Sequence, residues 1–545
     1  MSEIPPPAPP GDEFPPEQIR ISRSAGWILT SVFLLLLAVP PLLDGLPGRV
    51  AELVSALAGK GSREPVAERL RAYDAGVASA KFTKGPRQLT QQILTDFLNK
   101  GNDRVLIGRD GWLFYRPEIQ ALTGYGPLVP EPHSVSRDPA LLDWAAPLEP
   151  IRDFAAQLKA RGVALWLVPV PMKPAIYPEM LSGTTAGKPV RHRDAGAFYD
   201  KLREAGVEVQ DLAPLLWEAK TADAAEGPVY LKDDTHWTSR GMALAASHLA
   251  GKLKPQPWAA VEAAAAWKVV PQTSLSGHGD LVEKLGLLHP EQWTPGRTEP
   301  LLVVQPPSGK DALPDRSSPL VVLGDSFVNL FDDPSLGFGR SDGAARSQAG
   351  FAWHLAAQLG MGVDVHAVNG EGASGVRRWL AQRGESVVRS KKLVIWVIAE
   401  RDLFLSRSAA KANRVTWDRV TFAPDPPAGT EPTANSGGPI IVEAEVIEKS
   451  GQADPTRANY KNALFTVQYR IRKTVSGSPL TGDVEVVHWH FRERTLQPAS
   501  GVEIGQVYRL TLVPWAAQVE LQPINRGELG EGAPAWWSAV AEPVP

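Results

Sequence analysis

Val321-Val322-Leu323-Gly324-Asp325-Ser326-Phe327 reads as a buried strand that ends on a glycine-flanked serine. An apolar run of β-formers that stops at such a serine is how a strand delivers a nucleophile to the mouth of a sheet. A serine placed there needs a base. Asp233-Asp234-Thr235-His236-Trp237, about ninety residues upstream, is the best candidate to supply one. Side chains at i and i+2 share a side in extended chain and diverge in a helix, so Asp234 and His236 are expected to meet only if this segment is extended. An aspartate beside an imidazole holds its tautomer and stabilises the imidazolium while the other nitrogen takes the serine proton. Asp233 is the alternative orienting group, although its side chain is expected to point away from His236.

Working outward from the serine strand, apolar runs alternate with helical patterns. Val163–Pro171 is a buried strand entering a Pro-rich loop, Val207–Val209 a short strand, and Val363–Val368 and Leu393–Ile398 two more. Helical spacing covers Asp143–Arg161, Ala195–Ala205, Ser239–Lys252, Ala352–Leu359 and Val376–Arg383, with Thr238 or Ser239 as the N-cap of the third. Such alternation predicts a mostly parallel sheet covered on both faces, spanning residues 100–421. Pro255–Asp315 is a Pro-rich excursion, and Arg109-Asp110-Gly111 is a turn feeding the aromatic strand of a hairpin. A Pro/Gly/Thr linker at 422–439 precedes β-rich segments without helices, so 440–545 is expected to form a small all-β domain, either barrel or sandwich.

The amino terminus starts with a Pro-rich acidic leader, residues 1–24, followed by an apolar segment at 25–45 and a helical stalk at 46–99. The apolar segment is expected to be an uncleaved membrane anchor, with a cleaved signal peptide as its rival. Arg20 and Arg23 then mark the cytoplasmic side, which predicts a single-pass protein of the inner membrane with its catalytic part in the periplasm. Net charge is -3 with both signs mixed along the chain, which gives no electrostatic case for nucleic acid. Cysteine is absent, excluding disulfides, thiolate chemistry and cysteine-based zinc sites. No metal site and no cofactor-cradling loop is visible.

Taken singly, Gly-Asp-Ser is a common turn and Asp-x-His a common cap; together at two strand ends they point to acyl chemistry. That chemistry needs oxyanion donors. The backbone N–H of Ser326 is one, and the loop Asn369–Gly375 offers Asn369 and Gly375 as candidates, with a plain turn as the alternative. Arg401, after the last strand, is either half of a structural ion pair or part of the cleft. Lys173 is either a surface lysine or a substrate-binding group.

The stretches GRDGWLFY (108–115), PVPMKPAIYP (169–178), DDTHW (233–237), GDSF (324–327) and AER (399–401) occur in an order that resembles the alginate O-acetyltransferase AlgX/AlgJ family of SGNH-hydrolase-like proteins. The resemblance covers roughly residues 100–410. It implies an SGNH/flavodoxin-like three-layer α/β/α domain with Asp-x-His ahead of the serine, the reverse of the usual order. It also implies Ser326 as nucleophile, His236 as base, Asp234 as its orienter, and a membrane-bound O-acyltransferase as acetyl donor. The segment Phe331–Ala349 looks like an insertion beside the nucleophile where a polymer could lie. Three functions remain open at this point: O-acetylation of an exported polysaccharide, deacetylation of one by the same triad, or a non-catalytic glycan-binding scaffold.

Overall fold

The computed structural model describes residues 81–545 apart from 130–146, 184–186, 223–225, 260–266, 310, 311, 313, 345, 426–437, 456, 457, 459, 530–535 and 545; before residue 81 it describes only Trp27, Thr30, Ser31, Val54, Leu57 and Val66. The chain divides into two compact units, Met1–Arg87 and Gln88–Pro545. Among the described residues no helix is long and apolar enough to cross a membrane. This corrects the expectation of a single-pass protein of the inner membrane. The helix Lys81–Leu98 carries Arg87, Gln88, Gln91, Gln92 and Asp96, too many polar groups for a bilayer. The leader, the segment 25–45 and most of the stalk lie, those few residues aside, outside the described residues.

Five strands form one sheet, in the order Glu208–Val209, Ala164–Val170, Leu393–Ala399, Leu320–Gly324, Asp364–Ala367, and every neighbouring pair is parallel. The central strands are apolar throughout because both faces are covered. Period-two alternation shares them between two cores: Leu320, Val322, Ile395 and Val397 face one with the helices Ser239–Leu253 and Phe351–Leu359. Val321, Leu323, Val394, Trp396 and Ile398 face the other with Leu148–Lys159, Ala195–Glu204 and Gly375–Ala381. The result is three layers. Counted from the serine strand through the last strand and then back to the first two, the sheet order reads 2-1-3-4-5, the flavodoxin order. The chain is thus a circular permutation of that plan, which is why Asp-x-His precedes the serine.

Sequence spacing assigns no elements to Pro255–Asp315, yet it forms an antiparallel strand pair, Lys268–Thr273 with Pro300–Gln305, and between them the short helices Asp280–Leu285 and Pro290–Trp293. Their signal was masked by prolines and by their short length. The Arg-Asp-Gly hairpin pairs Val105–Ile107 with Leu113–Tyr115, its turn using positive φ at Asp110 and Gly111. In Phe331–Ala349, Phe331 and Phe338 are buried, and Asp332 binds Arg346 Nε at 2.9 Å and the Gln348 N–H at 2.8 Å.

The carboxy-terminal strands close into a barrel. Ile440–Lys449 pairs with Ala463–Ser476 and Val507–Pro514, and Ala463–Ser476 pairs with Asp483–Arg492. Two residues, Trp536 and Trp537, then bridge Asp483–Arg492 to Val507–Pro514 and complete the ring. Trp515 and Trp537 are buried beside Val487 and Leu464, so they serve the barrel's packing.

The barrel is fastened to the sheet domain at the loop that follows Asp364–Ala367. Pro523 accepts the Asn369 N–H at 3.0 Å, Asn525 donates to Glu371 Oε1 at 2.8 Å, and Glu528 pairs with Arg378. Burial pushes the Glu371 carboxyl from its ordinary 4.5 up to about 7. Between those values the folded chain keeps a proton that the unfolded chain has released, so stability falls as pH rises through that window. A Glu371→Gln variant keeps the Asn525 hydrogen bond but does not titrate. Its thermal midpoint is expected to gain on that of the unsubstituted chain as pH is raised from 4.5 to 8, and parallel curves would refute this.

Candidate active site

The Asp-His segment is a turn rather than an extended strand. An isolated bridge between Tyr230 and Trp237 closes it, with the Leu231 N–H donating to the His236 carbonyl at 3.0 Å. Asp234 then does locally what extended backbone was expected to do. Its Oδ1 accepts the His236 backbone N–H at 2.9 Å and lies 2.7 Å from His236 Nδ1. With Nδ1–H donating to the carboxylate, Nε2 is left as acceptor, and Ser326 Oγ lies 2.7 Å from it. Asp233 is turned away and pairs with Arg297, so it is not the orienting group. Trp237 donates from Nε1 to the Phe327 carbonyl at 3.1 Å, and Thr238 caps the next helix by accepting the Gly241 N–H. The first of these bonds ties the histidine turn to the serine turn.

Ser326 opens the short helix Ser326–Asn329, capped by Asp325, whose Oδ1 accepts the Phe327 N–H at 2.9 Å. Gly324 permits the fold-back, because a Cβ there would stand 2.3 Å from Val328 Cγ2. Asp280 is a member of the site that sequence reasoning missed. Its N–H donates to Asp234 Oδ2 at 2.7 Å, and its carboxylate accepts from the Thr235 N–H at 2.8 Å. Burial opposes its ionisation, but the Lys284 ammonium and His236 outweigh that and hold the carboxyl well below the usual range. Only a Gly-Asp pair at 279–280 marked it in the sequence. Asp234, His236 and Asp280 bring donor atoms within 4.8 Å of one another, a spacing that suits a metal. Both ring nitrogens of His236 and both oxygens of Asp234 are already engaged by hydrogen bonds.

The three residues open onto a cleft. Ser335 and Leu336 of the segment that follows the serine helix line it, as do Tyr460, Lys461 and Arg494 of the barrel. Asn369 is at the cleft too, its Nδ2 donating to Asp333 Oδ2 at 2.8 Å and its Oδ1 accepting from Asn329 at 3.1 Å. Gly375 is not brought there: it starts the helix Gly375–Ala381, and a Cβ on it would meet Glu371 instead. Gly370, with φ of 81° and Tyr460 packed against it, lines the wall in its place.

Arg401 lines the cleft and also pairs with buried acids, so both of its expected readings hold together. It lies 3.7 Å from Glu118 and 3.4 Å from Asp402, and its buried Nη1 has no hydrogen-bond partner. Burial works against its charge, but these carboxylates outweigh it and raise the guanidinium pKa further. Burial also pushes Glu118 up to about 7 and Asp402 up to about 6. Lys173 is neither exposed nor at the cleft. It is fully buried and its Nζ donates to three main-chain carbonyls; burial lowers its pKa to about 8 against the pull of Glu118.

A parallel five-stranded sheet with Gly-Asp-Ser at its mouth defines an α/β protein of SGNH-hydrolase-like class. Residues 105–400 match the family described as the SGNH hydrolase-like domain of acetyltransferase AlgX, and the chain belongs to that family. It is 30% identical over 158 residues to the "Probable alginate O-acetylase AlgJ" of Pseudomonas aeruginosa, covering 29% of this chain and 34% of that one. Against the protein of the same name from Pseudomonas putida it is 32% identical over 159 residues, covering 29% and 36%. The match thus spans about a third of the length of these relatives. Among solved structures, the O-acetyltransferase domain of Pseudomonas putida AlgJ aligns with 55% of this chain and 91% of its own, at 23% identity and a TM-score of 0.39.

Proposed function

We propose that the chain is an O-acetyltransferase that carries an acetyl group on Ser326 and passes it to a hydroxyl of a polysaccharide. The observation that carries this reading is the continuous hydrogen-bonded path Asp234–His236–Ser326 opening onto a cleft walled by two modules. In the first half-reaction His236 Nε2 takes the Ser326 proton as Oγ attacks the acetyl carbonyl; the donor's oxygen leaves with that proton. In the second, a sugar hydroxyl gives its proton to Nε2 and attacks the ester, and Oγ is released and reprotonated. The Ser326 N–H, the Asn369 amide and the Arg401 guanidinium are the groups proposed to meet the oxyanion or the acceptor.

The name borne by the relatives, alginate O-acetylase, supports an acidic polysaccharide as acceptor. The donor in this reading is an acetyl ester presented by a separate membrane-bound O-acyltransferase. The test is to incubate the full chain with an activated acetyl ester and uronic-acid oligosaccharides, then follow acetyl on Ser326, on sugar and in released acetate by mass spectrometry. Acetylated sugar supports transfer, free acetate alone supports an esterase, and neither would sink both.

A further inference from the structure

Two of the sequence motifs, 108–115 and 169–178, contribute little to the cleft, and their side chains converge instead on one ammonium. Lys173 Nζ donates to the carbonyls of Asp234 at 2.6 Å, Leu231 at 3.2 Å and Lys232 at 3.4 Å. The rings of Phe114 and Trp112 stand 5.4 and 5.9 Å from it, and the Leu113 N–H donates to the Lys232 carbonyl at 2.9 Å. Tyr177 and Tyr230 complete the frame, the first accepting the Val229 N–H at 3.0 Å and the second donating to the Pro171 carbonyl. An ammonium is held away from water only where its hydrogens all find acceptors. Here the acceptors belong to the stretch that ends on Asp234. A turn has no ladder to satisfy its carbonyls, so a buried donor must do it.

We propose that Lys173 is a positioning residue for acyl transfer: it clamps the main chain of residues 231–234 so that the Asp234 carboxylate stays aimed at His236 Nδ1. It touches no substrate. The aromatic pair Trp112 and Phe114 covers the ammonium and keeps water from competing for the carbonyls, which gives the Trp-Leu-Phe motif its place in the same device. This inference rests on the reading of Asp234, His236 and Ser326 as the acyl relay.

The test uses the full chain carrying Lys173→Met or Lys173→Arg, with kcat and KM for the activated ester and the oligosaccharide measured separately, and the His236 ring N–H signal followed by NMR. For Lys173→Met a fall in kcat of about 10- to 100-fold with KM within about twofold is expected, together with loss or a marked shift of the ring signal, as follows from a small misplacement of a reacting group. Lys173→Arg keeps charge and donors and is expected to recover most of kcat and of the signal. A rise in KM at constant kcat would place Lys173 on the substrate and overturn the proposal. So would an unchanged kcat and ring signal in a folded Met variant. If the Met variant does not fold, the Arg variant decides: a folded Arg variant that loses the ring signal and most of the kcat of the unsubstituted chain overturns the idea. Ser326→Ala separates the two levels. Should it transfer acetyl normally, the relay reading fails, while the His236 signal still reports whether Lys173 sets the ring's hydrogen bond.

Discussion

Ser326→Ala is expected to lower acetyl transfer by ~10⁴-fold or more, equivalent to more than about 5 kcal/mol of transition-state stabilisation, as loss of a serine nucleophile does elsewhere. The hydroxyl is the group 2.7 Å from His236 Nε2, and alanine removes both the attacking atom and the proton that the imidazole accepts. Little else changes. The Ser326 side chain fills no core, while the capping bond from the Phe327 N–H to Asp325 and the Trp237 bond to the Phe327 carbonyl are both independent of it. Melting temperature and oligosaccharide affinity should therefore stay near those of the unsubstituted chain, and the acetylated-protein peak should vanish from the mass spectrum. A variant that transfers acetyl at the original rate would remove Ser326 from the mechanism.

Asp234→Asn is the second large effect, and hydrogen-bond accounting shows why. Oδ1 accepts from the His236 main-chain N–H and ring Nδ1, and Oδ2 accepts from the Asp280 N–H, so every group facing the carboxylate is a donor. An asparagine must turn its NH₂ toward one of them. Turned toward Asp280, it sets two buried donors against each other, at a cost of about 1–3 kcal/mol. Turned toward the ring, it selects the tautomer with the proton on Nε2, which cannot receive the serine proton; in the serine-protease template that defect costs about 10⁴-fold in kcat. A fall of ~10³- to 10⁴-fold in kcat with KM little changed is expected, read from full rate profiles alongside a melting curve. A matching rise in KM would mean that Asp234 meets substrate directly.

How much of this was legible beforehand depends on how far apart the interacting residues lie. The five apolar strands, the Thr238 cap, the Arg-Asp-Gly hairpin and the pairing of Asp234 with His236 all turn on neighbours within a few positions, and each is readable from spacing. Spacing predicts extended chain for that pairing, whereas the segment is a turn held by the Asp234 side chain. Lys173 could be singled out by its motif but not placed, since its partners lie about sixty residues away. Asp280 and Gly370 carried almost no local signal. Gly375 drew attention through its glycine-rich setting, although that glycine answers to the crowding of Glu371.

The amino-acid order alone determined which five segments supply the strands of the parallel sheet, where the serine sits and which residues could serve it as base, because strand burial and turn chemistry are local properties of the chain. Tertiary structure alone decided the permuted strand order, the closure of the barrel by Trp536 and Trp537, and the cleft shared by Ser335, Asn369, Arg401 and Lys461. It also decided that Lys173 belongs to the scaffold. These depend on which surfaces pack together over long sequence separations, where neither periodicity nor spacing carries information.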